Sequence, residues 1–210
     1  MKILILTNGE YGDYTFCNQK EKFDYIICAD RGLYHAKVLG LTPDLIVGDF
    51  DSTDEKDLDY FKEKGVEIET LNTHKDETDT EIAVLRAIQK GATEVIVYGG
   101  LGSRLDHSLA NVHLLYKLLR KGIKGKLVSL NHTVYLAEKY QLIEGEKGDL
   151  VSLIPFSGEV KGVTTESLAY PLKNAEMNIG TSLGISNVLE ADSAKIWIGE
   201  GILIVIMARD

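Results

Sequence analysis

Two carboxylates stand two residues apart in Gly48-Asp49-Phe50-Asp51-Ser52, directly after the apolar run Leu45-Ile46-Val47 and before a charged, helix-like stretch at residues 53–64. In an extended chain alternate side chains share a side, so Asp49 and Asp51 are expected to face one point and Phe50 the core. Such a pair suits a hard cation. Mg2+ takes oxygen ligands and commonly divides its coordination between carboxylates and the phosphates of a substrate. Taken alone, the segment also fits a polar turn whose aspartate caps the next helix.

Three further stretches bear on that choice. Thr73-His74-Lys75-Asp76-Glu77-Thr78-Asp79-Thr80-Glu81 straddles a helix start. Asp76 and Asp79, three residues apart, are expected on one helix face, where carboxylates gain from the N-terminal field. Acidic residues in a first turn are also ordinary caps, but beside Asp49 and Asp51 they complete the carboxylate set of a magnesium–polyphosphate site. Gly99-Gly100-Leu101-Gly102-Ser103-Arg104-Leu105-Asp106-His107 reads as a phosphate-cradling turn. Its glycines let backbone N–H groups approach oxygens, the helix start adds partial positive charge, and Arg104 can fork onto a phosphate. It lacks the Lys-Ser/Thr ending of a Walker loop and the downstream acid of a dinucleotide fingerprint. Asp106 is a helix cap or orients substrate, and His107 is a general-base candidate. Near the C-terminus, Gly180-Thr181-Ser182-Leu183-Gly184-Ile185-Ser186-Asn187 can hydrogen-bond a polar heterocycle or simply turn between strands. Tyr170, held extended by Pro171, can stack on a ring or pack in a core.

The elements that must position these groups alternate. Strands are expected at residues 3–6, 25–28, 45–47, 66–71 and 94–98. Helices are expected at 33–39, 53–64, 77–90 and from Leu105 through Leu109, Val112 and Tyr116 to Leu119. Repeated βα units imply a mostly parallel, Rossmann-like sheet with helices on both faces. Ligands in such sheets bind beyond the carboxyl ends of the strands. Asp30, Asp49 with Asp51, the 73–79 segment and Gly99 to Asp106 all lie past such ends. After about Lys126 the pattern changes to short strands at 127–130, 133–137, 141–143, 150–154, 160–163, 179–183, 195–198 and 202–207. That predicts an antiparallel domain of β-sandwich or barrel type over 131–210 following an α/β domain over 1–130. At about 80 residues the second domain has a marginal core, so it is expected to lean on the first or on a second subunit.

Composition limits the alternatives. The 210 residues are 44% hydrophobic, with 32 acidic against 23 basic and a formal net charge of -9. No Lys/Arg block forms a nucleic-acid footprint. Cys17 and Cys28 have neither metal-site nor disulfide spacing. No apolar run approaches 18 residues, and the first apolar segment reads as a strand and not a secretory signal, so no membrane association and a cytoplasmic location are expected.

Together these stretches resemble the thiamine pyrophosphokinase family over essentially the whole chain. Ala29-Asp30-Arg31-Gly32 matches the family's Ala-Asp-Gly-Gly turn, and the Gly-Asp-Phe-Asp-Ser motif is intact at 48–52. The Asp-x-x-Asp segment falls on Asp76 and Asp79, the glycine-rich Arg-x-Asp-His stretch on Gly99 to His107, and the Ser-Asn pair on Ser186 and Asn187. The stacking aromatic falls on Tyr170. Arg31 and Ser103 stand where relatives have glycine. The resemblance implies transfer of a pyrophosphoryl group from ATP to thiamine by a homodimer whose thiamine pocket is shared between subunits. It implies Mg2+ held by Asp49, Asp51, Asp76 and Asp79, with catalysis by these and Arg104. ATP would be bound by Asp30, Arg31, Gly32, Gly99, Gly100, Gly102, Arg104, Asp106 and His107, and thiamine by Tyr170, Ser186 and Asn187. A single-phosphoryl kinase and a non-catalytic sensor of nucleotide or thiamine remain the alternatives.

Overall fold

The computed structural model describes residues 1–17, 21–51 and 53–209, in two compact units, Met1–Leu130 and Asn131–Asp210. Ser52, part of the acidic motif, lies outside the described residues.

The first unit runs β1 (Lys2–Leu6), β2 (Tyr25–Ala29), α1 (Gly32–Val38), β3 (Leu45–Gly48), α2 (Glu55–Glu63), β4 (Glu67–Thr70), α3 (Asp79–Gln89), β5 (Glu94–Tyr98), α4 (Leu105–Leu119) and β6 (Lys124–Val128). Its strands pair in parallel in the order β6-β5-β1-β2-β3-β4. The inner strands read as unbroken apolar runs because both faces are covered. Leu4, Leu6, Cys28, Ile46 and Ile96 form one buried cluster with Leu33 and Ala36 of α1 and Phe61 of α2. The intervening Ile3, Ile5 and Ile27 are equally buried. By strand alternation they face the other side, the side that α3 covers over β1, β2 and β3.

Two expectations change here. The short strand expected at 127–130 lies earlier, at Lys124–Val128, and as β6 it pairs in parallel with β5. α4 packs on β6, so the strand closes one more βα unit. The helix itself is where its periodicity puts it, but its buried face is not the expected stripe. Leu114, Leu115 and Leu118 join Val112 inside, while Leu105, Leu109 and Tyr116 are exposed. With apolar residues nearly all round the helix, periodicity could not choose the face.

The second unit has β7 (His132–Ala137), β8 (Tyr140–Glu144), β9 (Leu150–Pro155), β10 (Glu159–Glu166), β11 (Ala175–Asn178), β12 (Asn187–Val188), β13 (Ser193–Trp197) and β14 (Leu203–Ala208). They form two antiparallel sheets, β12-β9-β14-β7 and β11-β10-β13-β8. Ile143, Val163, Met177 and Ile196 of one sheet meet Val151, Leu153, Leu203 and Val205 of the other in a shared core, a sandwich and not the barrel that the strand pattern also allowed. Residues 179–183 are not a strand. Asn178 O accepts from both the backbone N–H and the hydroxyl of Thr181, which turns the chain directly after β11. Among the described residues no helix is long and apolar enough to cross a membrane.

Candidate active site

Parallel pairing sets Leu6 beside Cys28 and Tyr98, and Ala29 beside Val47. The residues that follow β1, β2, β3 and β5 therefore emerge on one edge. The chain builds β2, β3 and β4 to one side of β1 and then crosses to place β5 on the other. That reversal makes a topological switch point between β1 and β5. The two loops there touch closely: a Cβ on Gly9 would lie 1.9 Å from Gly99 O. A cleft of about 320 Å³ opens at this edge. Thr7 to Glu10 follow β1 and Asp30 follows β2 on its walls. Thr78 to Thr80 begin α3, Gly99, Gly100 and Gly102 follow β5, and His107, Ser108 and Asn111 come from α4.

One wall is acidic. Carboxylate oxygens of Asp30, Asp49 and Asp79 all lie within 4.8 Å of one another. Asp30 has a left-handed backbone (φ 47°) and accepts a 2.8 Å hydrogen bond from the Thr53 hydroxyl. Lys75 Nζ lies 2.9 Å from Asp79 Oδ1 and 3.5 Å from Asp49 Oδ2. The Asp79 oxygen is fully buried and its contact with Lys75 is a charge contact off hydrogen-bond alignment. Burial raises the Asp79 carboxyl above its ordinary pKa, Lys75 opposes that rise, and the neighbouring Asp49 and Asp30 charges add to it.

This set differs from the four carboxylates expected to act together. Phe50 has φ 61°, so the chain is not extended through Asp49-Phe50-Asp51. Asp51 is exposed and stands outside the cluster, its backbone N–H 3.4 Å from Asp49 Oδ1. Asp76 is exposed in the loop before α3 and shares no helix face with Asp79. The helix starts late because Thr78 is its N-cap, accepting from Glu81 N–H at 3.1 Å. Thr78-x-x-Glu81 is a capping-box pattern that could have fixed this boundary from sequence. Asp30, expected as a nucleotide contact, takes the third position.

The opposite wall is open backbone held by side chains. The buried Asn111 donates from Nδ2 to Gly100 O at 2.8 Å. Ser108 Oγ accepts from Gly102 N–H at 3.1 Å, and Glu10 accepts from Ser103 N–H at 3.2 Å. Arg104 pairs with Asp106 at 2.6 Å, both side chains exposed, and holds the Asp106 carboxyl down at about 2. His107 lines the cleft, with its Nε2 4.0 Å from Asp106. Arg31 has ordinary helical backbone (φ -60°) at the cap of α1. Gly32 is the position that demands glycine, since a Cβ there would lie 2.0 Å from Leu6 O. Arg31 in place of a glycine therefore leaves the turn undistorted. Lys75, Thr7 to Glu10 and Asn111 were not among the expected site residues. The first is a lone cation inside an acidic motif, a signal available in the sequence; the others follow only from the strand order.

In the second unit Tyr170 is 70% exposed and Asn187 only 3%. Asn187 Oδ1 accepts from Tyr170 N–H at 2.9 Å, and its Nδ2 donates to Tyr170 O at 2.7 Å. The amide thus clamps the backbone beneath an outward-facing ring. Ser186 is exposed, with φ 54°, and its N–H donates to Ser152 Oγ at 3.0 Å.

A parallel sheet carrying a polar cleft at its switch point, acidic on one wall and glycine-rich on the other, defines an α/β protein of the strand-end ligand-binding class, here with a β-sandwich unit after it. The family model described as "Thiamin pyrophosphokinase, catalytic domain" matches residues 16–127, and that described as "Thiamin pyrophosphokinase, vitamin B1 binding domain" matches residues 131–203. The chain belongs to the thiamin pyrophosphokinase family. It is 30% identical over 186 residues to thiamine pyrophosphokinase of Bacillus subtilis, covering 88% of this chain and 87% of that protein. The crystal structure of thiamine pyrophosphokinase from Bacillus subtilis aligns over all of both chains with a TM-score of 0.90 at 28% identity. That of Geobacillus thermodenitrificans gives 0.87 at 29% identity, over all of this chain and 98% of the other.

Proposed function

We propose that the chain is a thiamine diphosphokinase, transferring pyrophosphate from ATP to thiamine to give thiamine diphosphate and AMP. The observation that carries this is the family match over both units, with Asp30 and Asp79 of the acidic cluster lining one cleft together with a glycine-rich turn. ATP binds over the first unit, its phosphates against the Gly99–Gly102 backbone and Arg104. The thiamine hydroxyl oxygen bonds to the β-phosphorus while the bond from that phosphorus to the oxygen bridging the α-phosphorus breaks. The electron pair leaves with AMP, and the hydroxyl proton passes to solvent. Such a transfer rests on positioning and electrostatics and needs no covalent nucleophile.

The acidic wall fits Mg2+. Three carboxylate oxygens within 4.8 Å of one another are the kind of hard oxygen donors that a divalent cation takes. The buried, unaligned Asp79 oxygen also calls for a cation. Asp30, Asp49 and Asp79 are the residues that would hold it, with Asp51 and Asp76 outside that set. When bound it would neutralise phosphoryl charge.

Tyr170 offers its exposed ring to thiamine, and Asn187 holds that ring's backbone in place. Ser186 lies beside Asn187 at the polar edge of the acceptor site. The outer face of the β8–β13 pair exposes Tyr140, Leu142 and Trp197, which supports self-association. We read the protein as a cytoplasmic homodimer with the acceptor pocket near its interface. Incubation with ATP, thiamine and Mg2+ followed by nucleotide chromatography tests the reaction: AMP and thiamine diphosphate are expected in equal amounts with no ADP. ADP with thiamine monophosphate would identify an ordinary kinase, and binding without turnover a sensor.

A further inference from the structure

Lys75 lies at the centre of the acidic wall, although it is neither a carboxylate nor part of the glycine-rich turn. Its side chain is only 15% exposed, with Nζ 2.9 Å from Asp79 Oδ1 and 3.5 Å from Asp49 Oδ2. Nζ also donates to Asn72 O at 3.1 Å, so its donors are turned inward and not into solvent. Three carboxylates with oxygens within 4.8 Å of each other repel strongly at low dielectric unless a cation stands among them. The ammonium is that cation. It comes from the loop before α3, four residues ahead of Asp79, and not from the rigid helix.

A divalent ion at about 2.1 Å from the oxygens that the ammonium contacts would bring two positive charges close together, so the two cations compete for the same carboxylates. We propose that Lys75 is an exchangeable counter-ion: its ammonium holds Asp49 and Asp79 together beside Asp30 in the metal-free protein and yields them when the divalent cation enters. The inference rests on the proposed Mg2+ site, and it makes Lys75 a positioning residue whose competition sets how tightly that site binds.

The test uses the full chain, freed of metal with a chelator, as wild type, Lys75→Met and Lys75→Gln. Thermal unfolding and titration calorimetry are run with Mg2+ alone, then with Mg2+ and a non-hydrolysable ATP analogue. Loss of the internal cation should lower the metal-free Tm of both variants by roughly 5 °C, and Mg2+ should restore it. Removing the competitor should tighten Mg2+ binding by about tenfold, the equivalent of about 1.4 kcal/mol. Unchanged Mg2+ affinity in both variants overturns the role of Lys75 and leaves the Mg2+ site standing. No Mg2+ binding to any of the three proteins, with or without the analogue, overturns both. Variants that stay unfolded at saturating Mg2+ also overturn the exchange, because the ion pair would then be a structural contact that Mg2+ cannot replace.

Discussion

Replacing Asn187 with Ala separates a residue that touches thiamine from one that acts through Tyr170. The Asn187 amide makes one bond to the Tyr170 N–H and one to its carbonyl, and its oxygen also accepts from Val188 N–H at 3.0 Å. A net contribution of about 1 kcal/mol for each of the two bonds to Tyr170, with roughly another 1 kcal/mol for backbone groups left unpaired at a buried site, gives about 3 kcal/mol. For a chain of this size that is a fall of about 10 °C in Tm. Tyr170→Ala removes an exposed ring and should leave Tm nearly unchanged. Its stacking contribution of about 0.5–1.5 kcal/mol should raise KM for thiamine by up to about tenfold with little change for ATP. In a double-mutant cycle on KM for thiamine, the double variant should lose no more than the larger single loss, because Asn187 works by placing the ring. Additive losses would mean that Asn187 contacts thiamine itself. An unchanged Tm for Asn187→Ala would refute the clamp.

Gly32→Ala places a methyl carbon 2.0 Å from Leu6 O and should cost about 2 kcal/mol or more, while Arg31→Gly at the adjacent position should change Tm by little; chemical denaturation compares the two. Burial, with the Arg31 charge adding, lowers His35 from 6.5 to about 4, and the ring stacks on Tyr11 at 3.7 Å and meets Tyr14 Oη at 2.9 Å. The unfolded chain therefore takes up this proton first as pH falls, so the contribution is complete above 6.5 and is lost as pH falls from 6.5 to about 4. At about 1.4 kcal/mol per unit it amounts to at most about 3 kcal/mol. His35→Phe should flatten urea-denaturation stability across that window, and an unchanged slope would refute the assignment. Light scattering should give about twice the 23.2 kDa chain mass, and a fully active monomer would remove the shared acceptor pocket.

Local chemistry determined much of this protein in the sequence itself. Apolar runs bounded by glycine gave β1 to β5, three- and four-residue spacing gave α4, and the alternation of strands and helices made the first sheet parallel. The acidic and glycine-rich motifs were legible because each falls beyond the carboxyl end of a strand, and chain direction alone puts those ends on one edge. Tertiary structure decided which members of each motif meet. Phe50 takes a left-handed backbone and packs against the first unit's core, so the chain is not extended there and Asp51 falls outside the carboxylate group. Thr78 caps α3 after Asp76 has passed, leaving Asp79 alone to join Asp30 and Asp49. The buried face of α4 was likewise hidden, because apolar residues lie on several of its sides and packing on β6 and α3 selects among them. β11 and β12 escaped notice for a related reason: strands of four and two residues carry too little pattern, and pairing with β10 and β9 defines them. Sequence fixes which groups are available at a strand end, but a φ angle or a cap one residue away decides where each carboxylate points. That choice is made by the packing around it.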